Sequence, residues 1–276
     1  MKTAVVTGAS RGVGKGVAVA LGAAGYRVFV TGRSTGDKVT FPILGGTVEQ
    51  TAAAVDQAGG HGVPVVCDHT DDDQTRDLFE RVRAEAGGLD VLVNNVWGGY
   101  AAYHEDRFQD MEGPFWEQPL QVWDDMFTAG VRAHYTATAL AAPLLRPGGL
   151  VATISFFPGS YPRDTDQVSY GVAKAADDRM ARLMAAHLKP REVSVVSLYP
   201  GLVRTEGVLR SGDFFDLSNS ESPEFIGRAI LALAADPAGA ANRSGQALVV
   251  AELAAEYGFT DTDGTRPTSV RAEYEP

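Results

Sequence analysis

The stretch Thr7-Gly8-Ala9-Ser10-Arg11-Gly12-Val13-Gly14 decides the fold, because it joins a short apolar run to an amphipathic one. The run at 4–7 is typical of a buried strand, and the segment at 14–24 is typical of a helix. The first glycine of the stretch would permit a sharp turn, the second a close approach of backbone to a pyrophosphate, and the third tight packing of helix on strand. With the helix N-terminus facing the phosphates, the stretch predicts a dinucleotide site. An ordinary turn is the alternative, since the chain has 31 glycines.

The same alternation of strand and helix continues along the chain. Short β-branched runs predict strands at 4–7, 27–31, 63–67, 91–94, 150–155, 193–198 and 246–251. Longer amphipathic segments predict helices at 14–24, 48–58, 73–86, 122–145, 170–188 and 224–234. Strands that alternate with helices are typical of a parallel sheet with both faces covered. We therefore predict an α/β fold with one doubly wound, Rossmann-type parallel sheet of about seven strands.

Two stretches do not fit the alternation, and both exceed the usual length of a loop. Residues 98–121 contain five aromatic residues, and residues 252–276 follow the last predicted strand. Each stretch has a net charge of −4, so together they contain −8 of the chain's −11. We predict that residues 1–276 form one dinucleotide-binding domain with a loop insert at 98–121 and a C-terminal extension at 252–276.

The aromatics of the insert are Tyr100, Tyr103, Phe108, Phe115 and Trp116. We expect them to wall an apolar substrate, an oligomer contact being the alternative.

Composition excludes several classes of function. A formal net charge of −11 would repel a phosphate backbone, so we expect no nucleic-acid partner. Apolar stretches such as 140–145 are far shorter than the roughly 18–20 residues that span a bilayer, so we expect no membrane span. The single cysteine, Cys67, cannot form an intramolecular disulfide, which favours a reducing, cytoplasmic setting. The five histidines are scattered along the sequence, so we expect no metal site.

The end of the second predicted strand indicates which dinucleotide would bind. A site that prefers NAD has an acid about 20 residues after the glycines, where it holds the ribose 2′-hydroxyl. Here the sequence is Val30-Thr31-Gly32-Arg33-Ser34, which contains no acid. Arg33, together with Arg11, could pair bidentately with a 2′-phosphate. We therefore predict NADP(H) as the preferred cofactor, with NAD(H) as the second possibility. The alternative is that both arginines are merely solvated.

Polar residues also follow the third and fourth predicted strands and begin the fifth predicted helix. Asp68 ends the third strand and Asn95 ends the fourth, at the edge where an open parallel sheet binds its ligand. Tyr170 and Lys174 are i and i+4 at a helix start, so they share one face. An ammonium beside a phenol stabilises the phenolate and makes the phenol usable as an acid or base nearer neutral pH. Taken alone, the pair could also be a tyrosine at a helix start with a surface lysine.

In combination these motifs resemble the short-chain dehydrogenase/reductase family over about residues 3–251. The family pattern is a Thr-Gly-x3-Gly-x-Gly loop, an Asn-Asn motif, a serine, a Tyr-x3-Lys pair and a Pro-Gly turn, and all occur here in that order. The resemblance implies hydride transfer between a nicotinamide and the carbonyl or secondary alcohol of an apolar small molecule. It implies that Tyr170 is the general acid/base, with Lys174 and Ser155 as further catalytic residues. It also implies a homodimer or homotetramer paired through the helices at 122–145 and 170–188.

The resemblance implies one set of cofactor contacts, with Thr205 placed to hold the nicotinamide amide. The set is Gly8, Ser10, Arg11, Gly12, Val13, Gly14, Arg33, Asp68, Asn95, Tyr170, Lys174, Pro200, Gly201, Val203 and Thr205.

Two departures from the family pattern keep other functions open. The catalytic serine normally lies about 12–13 residues before the tyrosine, but Ser155 is 15 residues before Tyr170 and Ser160 is ten. Either serine, or neither, could therefore contact the substrate. The family's asparagine in the preceding helix is replaced by Gly130, where a water held by backbone carbonyl groups could serve instead. A dinucleotide-binding sensor or scaffold that has lost catalysis, and an epimerase or dehydratase that recycles its cofactor, are the alternatives to an oxidoreductase.

Overall fold

Seven parallel strands form one sheet in the computed structural model, which describes residues 1–40, 42–100, 113–161 and 167–275. The strands are β1 (Thr3–Val6), β2 (Arg27–Gly32), β3 (His61–Val66), β4 (Leu89–Asn94), β5 (Leu145–Ile154), β6 (Ser194–Tyr199) and β7 (Ala247–Val249). Their order across the sheet is β3-β2-β1-β4-β5-β6-β7. Every residue of β1 and of β6 is buried, because helices cover both faces of the sheet. The predicted α/β fold class is confirmed.

The helices of the described residues lie between and after these strands. They are α1 (Gly12–Ala23), α2 (Val48–Gln57), α3 (Asp72–Ala86), α4 (Leu120–Asp125), α5 (Ala133–Ala141), α6 (Val168–Leu188), α7 (Glu206–Arg210), α8 (Pro223–Ala235), α9 (Pro237–Asn242) and α10 (Val250–Tyr257). A π-helical segment, Met126–Arg132, connects α4 to α5 without a break. None of the helices in the described part of the chain is long and apolar enough to cross a bilayer.

Alternate residues of each strand enter two separate cores, one on each face of the sheet. Ala4 and Val6 of β1 belong to the core beneath α1, α2, α8 and α10, whereas Val5 belongs to the core beneath α3, α5 and α6. The strand order reverses at β1, which has β2 on one side and β4 on the other. At such a reversal the connections leave in opposite directions, and a crevice opens beyond the carboxyl ends of the strands. The predicted site residues after β1, β3 and β4 all lie at this edge.

The predicted helix at 122–145 and the predicted strand at 150–155 are wrong where they approach each other. Helix α5 ends at Ala141, a 3₁₀ turn follows at Ala142–Leu144, and β5 begins at Leu145, five residues before the predicted start. Pro143 lacks the backbone N–H that a longer helix would need. Leu145 instead pairs with Leu89 at the start of β4.

The predicted strand at 246–251 is also longer than the real one. Strand β7 ends at Val249, and the next residue begins α10, so residues 252–257 of the predicted extension are helical. Alanine, leucine and glutamate fill this stretch, and all three are strong helix formers. The remaining predicted elements differ from the structure by no more than two residues at either end.

Close packing of α1 against α8 yields a prediction about stability. A Cβ at Gly227 of α8 would lie 2.5 Å from Ala20 Cβ and 3.1 Å from Val17 Cα of α1. We expect Gly227→Ala to lower the free energy of unfolding by about 1–3 kcal/mol, because overpacking outweighs the better helix propensity of alanine.

Urea unfolding followed by circular dichroism measures this loss. Gly36→Ala is the matched control, since Gly36 is exposed and a Cβ there meets no atom within 4 Å. Equal stability of the two variants would show that the helices separate at little cost.

Candidate functional site

The loop that leads from β1 into α1 requires glycine at three positions, Gly8, Gly12 and Gly14. Gly8 and Gly12 have φ angles of 64° and 56°, which favour glycine. A Cβ at Gly14 would lie 2.5 Å from Gly8 O and 2.5 Å from Asn95 Nδ2. The Asn95 amide itself donates to Thr7 O at 3.1 Å and to Gly8 O at 3.0 Å, so it fixes the loop against the end of β4. Backbone is therefore presented at a helix N-terminus, as a pyrophosphate requires.

Glu206 is a functional candidate that sequence reasoning missed. Its Oε2 accepts a hydrogen bond of 2.8 Å from Gly12 N, at the N-terminus of α1. Glu206 is the first residue of α7, and the preceding residue, Thr205, caps that helix by accepting from Val208 N at 3.4 Å. Helix N-termini attract carboxylates and phosphates for the same reason, because both accept from free N–H groups and oppose the dipole. Glu206 thus uses a donor that a bound phosphate would need.

The predicted 2′-phosphate residues come together beside the end of β2, but they are arranged differently. Arg33 is exposed, and its Nη1 lies 3.7 Å from Asp68 Oδ2. Arg11 is buried, with hydrogen bonds to Ser34 Oγ at 2.7 Å and to Gly45 O at 2.8 Å. Burial lowers the pKa of Arg11, while Tyr100 and Glu206 raise it. Arg11 therefore stiffens the loop at 34–46, and Arg33 is the more accessible cation.

Tyr170 and Lys174 lie on one face of α6, as predicted from their spacing. Lys174 is buried, with its Nζ 5.7 Å from the centroid of the Tyr170 ring. The same Nζ donates to Ile154 O at the end of β5, over 2.8 Å. Trp97, which follows Asn95 and Val96 in the loop after β4, packs edge-on against Tyr170 with ring centroids 6.4 Å apart. An ammonium is thus held beside a phenol at the crevice.

Neither of the two candidate serines, Ser155 and Ser160, has a hydrogen bond to Tyr170 among the contacts of the described residues. Ser155 Oγ donates to Lys174 O at 3.3 Å, and Ser160 Oγ pairs with Tyr199 OH at 2.8 Å. Phe156 follows Ser155 and faces Tyr170, with ring centroids 6.4 Å apart. Ser155 is buried at the strand end, and alternate residues of an extended chain face opposite sides. Phe157, two residues nearer the tyrosine than Ser155, is buried against Tyr199 and Tyr274, so the ring beside Tyr170 is that of Phe156.

A cavity of about 570 Å³ connects the glycine-rich loop to Tyr170. Apolar residues dominate its walls, and the C-terminal extension supplies Val270, Glu273 and Tyr274. The Tyr274 ring stacks on Phe157, with centroids 4.7 Å apart. Other lining residues are Gly8, Arg11, Val13, Asn95, Trp97, Tyr100, Ile154, Ser155, Phe156, Lys174, Pro200, Gly201, Leu202, Val203, Thr205, Val208 and Phe215. The predicted contacts around the Tyr-Lys pair and the Pro-Gly turn therefore share one space, whereas Arg33 and Asp68 line a smaller neighbouring cavity with Ser10.

The aromatics of the insert are divided between this cavity and the surface. Tyr100 lines the cavity, whereas Phe115 and Trp116 are 58% and 72% exposed and pack on each other. Tyr103 and Phe108 lie outside the described residues. Trp97, Phe156 and Tyr274, which are not part of the predicted aromatic set, line the cavity together with Tyr100. Only the excess of aromatic residues next to the predicted motifs could have indicated these three.

Salt bridges, one of them to the buried Asp261, hold the C-terminal extension in place. Arg204 Nη2 lies 3.0 Å from Asp261 Oδ2, and Ser222 N donates to the same oxygen at 2.8 Å. Nearer the end of the chain, Arg271 Nε donates to Glu252 Oε1 at 2.8 Å. Asp261 therefore anchors the extension to the turn after β6, and the Arg271–Glu252 contact holds the end of the chain against α10 within the extension itself.

His134 and Asp177 form a buried pair that sequence reasoning missed. His134 Nδ1 lies 2.9 Å from Asp177 Oδ1, and Asp177 Oδ2 lies 3.6 Å from Lys174 Nζ. The spacing of Asp177, three residues after Lys174, could have placed it on the same helix face. His134 is 43 residues away in sequence, so spacing could not pair them. Among the described residues, no group of three or more His, Cys, Asp or Glu could hold a metal ion; His104 lies outside them.

Comparisons with known proteins agree with this geometry. A family model, short chain dehydrogenase, matches residues 2–212. Dehydrogenase/reductase SDR family member 1 of Mus musculus is 40% identical, with 94% of this chain and 83% of that protein covered, and the protein of that name from Homo sapiens is 39% identical with the same coverage. A solved short-chain dehydrogenase/reductase from Serratia marcescens superposes with a TM-score of 0.74 at 25% identity, covering 90% of this chain and 95% of that one. The chain therefore belongs to the short-chain dehydrogenase/reductase family, whose members are oxidoreductases that act with NAD(P).

Proposed function

We propose that this protein is an NADP(H)-dependent oxidoreductase that interconverts a carbonyl and a secondary alcohol on an apolar small molecule. The observation that carries the proposal is the placement of Tyr170 and Lys174 on one face of α6, at the cavity that begins at the glycine-rich loop. Trp97, Phe156 and Tyr274 give that cavity an aromatic wall, which favours an apolar substrate.

The residues of the site divide the chemistry between them. When bound, the nicotinamide supplies or accepts a hydride at the substrate carbon. Tyr170 gives the hydroxyl proton to the substrate oxygen in reduction and takes it in oxidation. Lys174, steadied by its bond to Ile154 O, stabilises the phenolate and holds the nicotinamide ribose.

The cofactor contacts proposed from the family pattern fit the arrangement of the chain. The backbone of residues 8–14 would hold the pyrophosphate, because its N–H groups lie at the N-terminus of α1. The tight packing at Gly14 keeps this helix close to the strand. Asp68 and Asn95 would contact the adenosine half and the ribose next to it. Pro200, Gly201, Val203 and Thr205 would hold the nicotinamide on the opposite side of the cavity.

Preference for NADP(H) rests on the cations at the end of β2. Arg33 is exposed there, and no carboxylate occupies the position from which NAD sites hold the ribose. Arg33 would pair with the 2′-phosphate, with the buried Arg11 contributing charge from behind.

We further propose a cytoplasmic homodimer or homotetramer formed through α4, α5 and α6. Tyr135 on α5 and Val172 and Leu183 on α6 are exposed, and a second copy of the chain would cover them. Light scattering measures the assembly directly.

A catalytically silent dinucleotide sensor is the second candidate. The hydrogen bond of Ser155 to Lys174 O and the presence of Phe156 beside Tyr170 favour it, because no serine of the described residues bonds Tyr170. NADPH absorbance over a panel of aldehydes, ketones and quinones separates the two functions. Consumption of NADPH supports the oxidoreductase, and binding without consumption supports the sensor.

Removing the Tyr170 hydroxyl tests the proposed acid/base. We expect Tyr170→Phe to lower kcat at least about 100-fold, since general acid–base catalysis contributes that much, and to leave NADPH affinity within a few-fold. Steady-state rates and fluorescence titration with NADPH measure the two quantities. Tyr257→Phe, at the end of α10 and outside the cavity lining, is the control. Unchanged turnover in Tyr170→Phe would refute the proposed mechanism.

Removing the cation at the end of β2 tests the cofactor preference. We expect Arg33→Ala to weaken NADPH binding about tenfold or more and to leave NADH binding unchanged, because only the 2′-phosphate loses a charged hydrogen bond. Arg83→Ala removes an equal charge on the exposed side of α3 and is the control. Equal loss for both cofactors would mean that Arg33 does not read the 2′-phosphate.

Neutralising Glu206 tests whether its carboxylate competes with the pyrophosphate. Glu206→Gln keeps the shape but removes the charge that occupies Gly12 N. We expect NADPH affinity to rise several-fold, whereas Glu80→Gln, on the surface of α3, should leave it unchanged. Isothermal titration measures both, and an unaltered affinity in Glu206→Gln would mean that the contact does not oppose binding.

A further inference from the structure

His134 has two hydrogen-bond partners that can only accept. Its Nδ1 lies 2.9 Å from Asp177 Oδ1, and its Nε2 lies 3.0 Å from Val96 O. A neutral imidazole has one N–H, so it can satisfy one of these partners but not both. His134 is 2% exposed, so bulk water does not reach the other. An imidazolium, in which both ring nitrogens donate, satisfies both partners.

Asp177 connects this imidazolium to Lys174. Its second oxygen, Oδ2, lies 3.6 Å from Lys174 Nζ, and its side chain is also 2% exposed. Burial alone would raise the pKa of Asp177, but the charges of His134 and Lys174 hold it below its ordinary value. The carboxylate is therefore ionised and shared between two cations.

The three side chains together have a net charge of +1. Asp177 alone would cancel much of the field that Lys174 exerts on Tyr170, because a carboxylate so close to the ammonium opposes its charge. The charge of His134 offsets Asp177 and leaves the cluster positive. Since all three side chains are buried, solvent screens this balance only weakly.

The cluster lies where the chain departs from the family pattern. Gly130, which replaces the expected asparagine, is one helical turn before His134, at the end of the π-helical segment. A Cβ at Gly130 meets no heavy atom within 4 Å, so no neighbouring side chain fills its place. His134 also bonds Val96 O, next to Trp97, whose ring contacts Tyr170. The cluster thus adjoins Lys174 on one side and the wall behind Tyr170 on the other.

We propose that His134 and Asp177 are positioning residues of the reaction: Asp177 holds Lys174 in place, and the charge of His134 preserves the net positive charge that stabilises the Tyr170 phenolate. The proposal rests on the function proposed above. A purely structural role explains the pair less well, since a buried ion pair contributes little to stability compared with apolar residues of similar volume.

The other ionisable groups near the cluster are His69, Asp178, Arg11 and Glu273, and none of them is substituted in the variants proposed below. Burial and the charge of His134 lower the pKa of His69 to about 4, so this histidine is neutral at the working pH. Burial raises the pKa of Asp178, which follows Asp177 on α6 and accepts a hydrogen bond from the Tyr199 hydroxyl. Arg11 and Glu273 line the cavity in front of Tyr170 and are unchanged in every variant.

A substrate-free titration of Tyr170 tests the proposal. The near-ultraviolet absorbance of phenolate is recorded against pH for each protein and for the same protein with Tyr170→Phe, and the difference isolates Tyr170. We expect His134→Gln to raise the pKa of Tyr170, so that the phenol binds its proton about tenfold more tightly. The reason is that the cluster loses its net positive charge. His187→Gln, exposed near the end of the same helix α6, is the control and should leave the titration in place.

The double variant His134→Gln/Asp177→Asn gives the decisive comparison. It removes one charge of each sign, so the net charge returns to +1 and the titration should return to within about twofold of the unmodified protein. Loss of packing alone would give the double variant a change at least as large as that of the single variant. The proposal would be overturned if His134→Gln left the titration midpoint of Tyr170 unchanged. It would also be overturned if the double variant did not restore that midpoint.

A measurement on the unmodified protein keeps the test valid if a variant does not fold. Nitrogen NMR of the protein labelled at histidine should show both His134 ring nitrogens protonated at pH 7, and a neutral ring there would overturn the proposal. Failure of the proposed function is distinguishable, because it would appear as unchanged turnover in Tyr170→Phe. An inactive Tyr170→Phe with an unmoved His134→Gln titration would refute this inference alone.

Discussion

The attachment of the glycine-rich loop to the end of β4 is the constraint on which the site depends. Asn95 donates from one amide nitrogen to the carbonyls of Thr7 and Gly8, and that nitrogen occupies the space a Cβ at Gly14 would need. The contact sets the distance between α1 and the loop after β4 at the reversal of strand order. Trp97, two residues beyond Asn95, is consequently placed against Tyr170. One interaction therefore fixes both the pyrophosphate end and the phenol end of the crevice.

The sequence predicted the elements that repeat and missed contacts between distant residues. Burial on both faces gives the strands continuous apolar runs, and helical periodicity placed Tyr170 beside Lys174, because both signals are local. The helix at 122–145 failed at its end, since the pairing of Leu145 with Leu89 is decided by the sheet. The bond between His134 and Asp177 and the contact of Glu206 with Gly12 join residues 43 and 194 positions apart, and no spacing rule reaches so far.

The two departures from the family pattern meet at Lys174. Ser155 donates to the backbone carbonyl of Lys174, while the side-chain ammonium of that residue lies between Ile154 O and Asp177. The Ser155 hydroxyl is thus bonded to the backbone of α6, and the Phe156 ring lies beside Tyr170. Exclusion of water strengthens the interaction between a fixed ammonium and a developing phenolate. Burial of Lys174 therefore strengthens its interaction with a phenolate at Tyr170.

The net charge of the chain is acidic, whereas the positive charge of Lys174 is buried. At −11 the protein repels a phosphate-bearing cofactor, but beyond a Debye length of about 8 Å salt screens most of the repulsion between exposed charges. Binding of an anionic cofactor would therefore depend on donors within hydrogen-bond reach, such as the backbone N–H groups at residues 8–14. Lys174 and Arg11 are buried, so their electrostatic interaction with the acidic residues at the surface is weak. An acidic exterior is thus compatible with an anionic cofactor, because surface charges beyond a Debye length contribute little at the site.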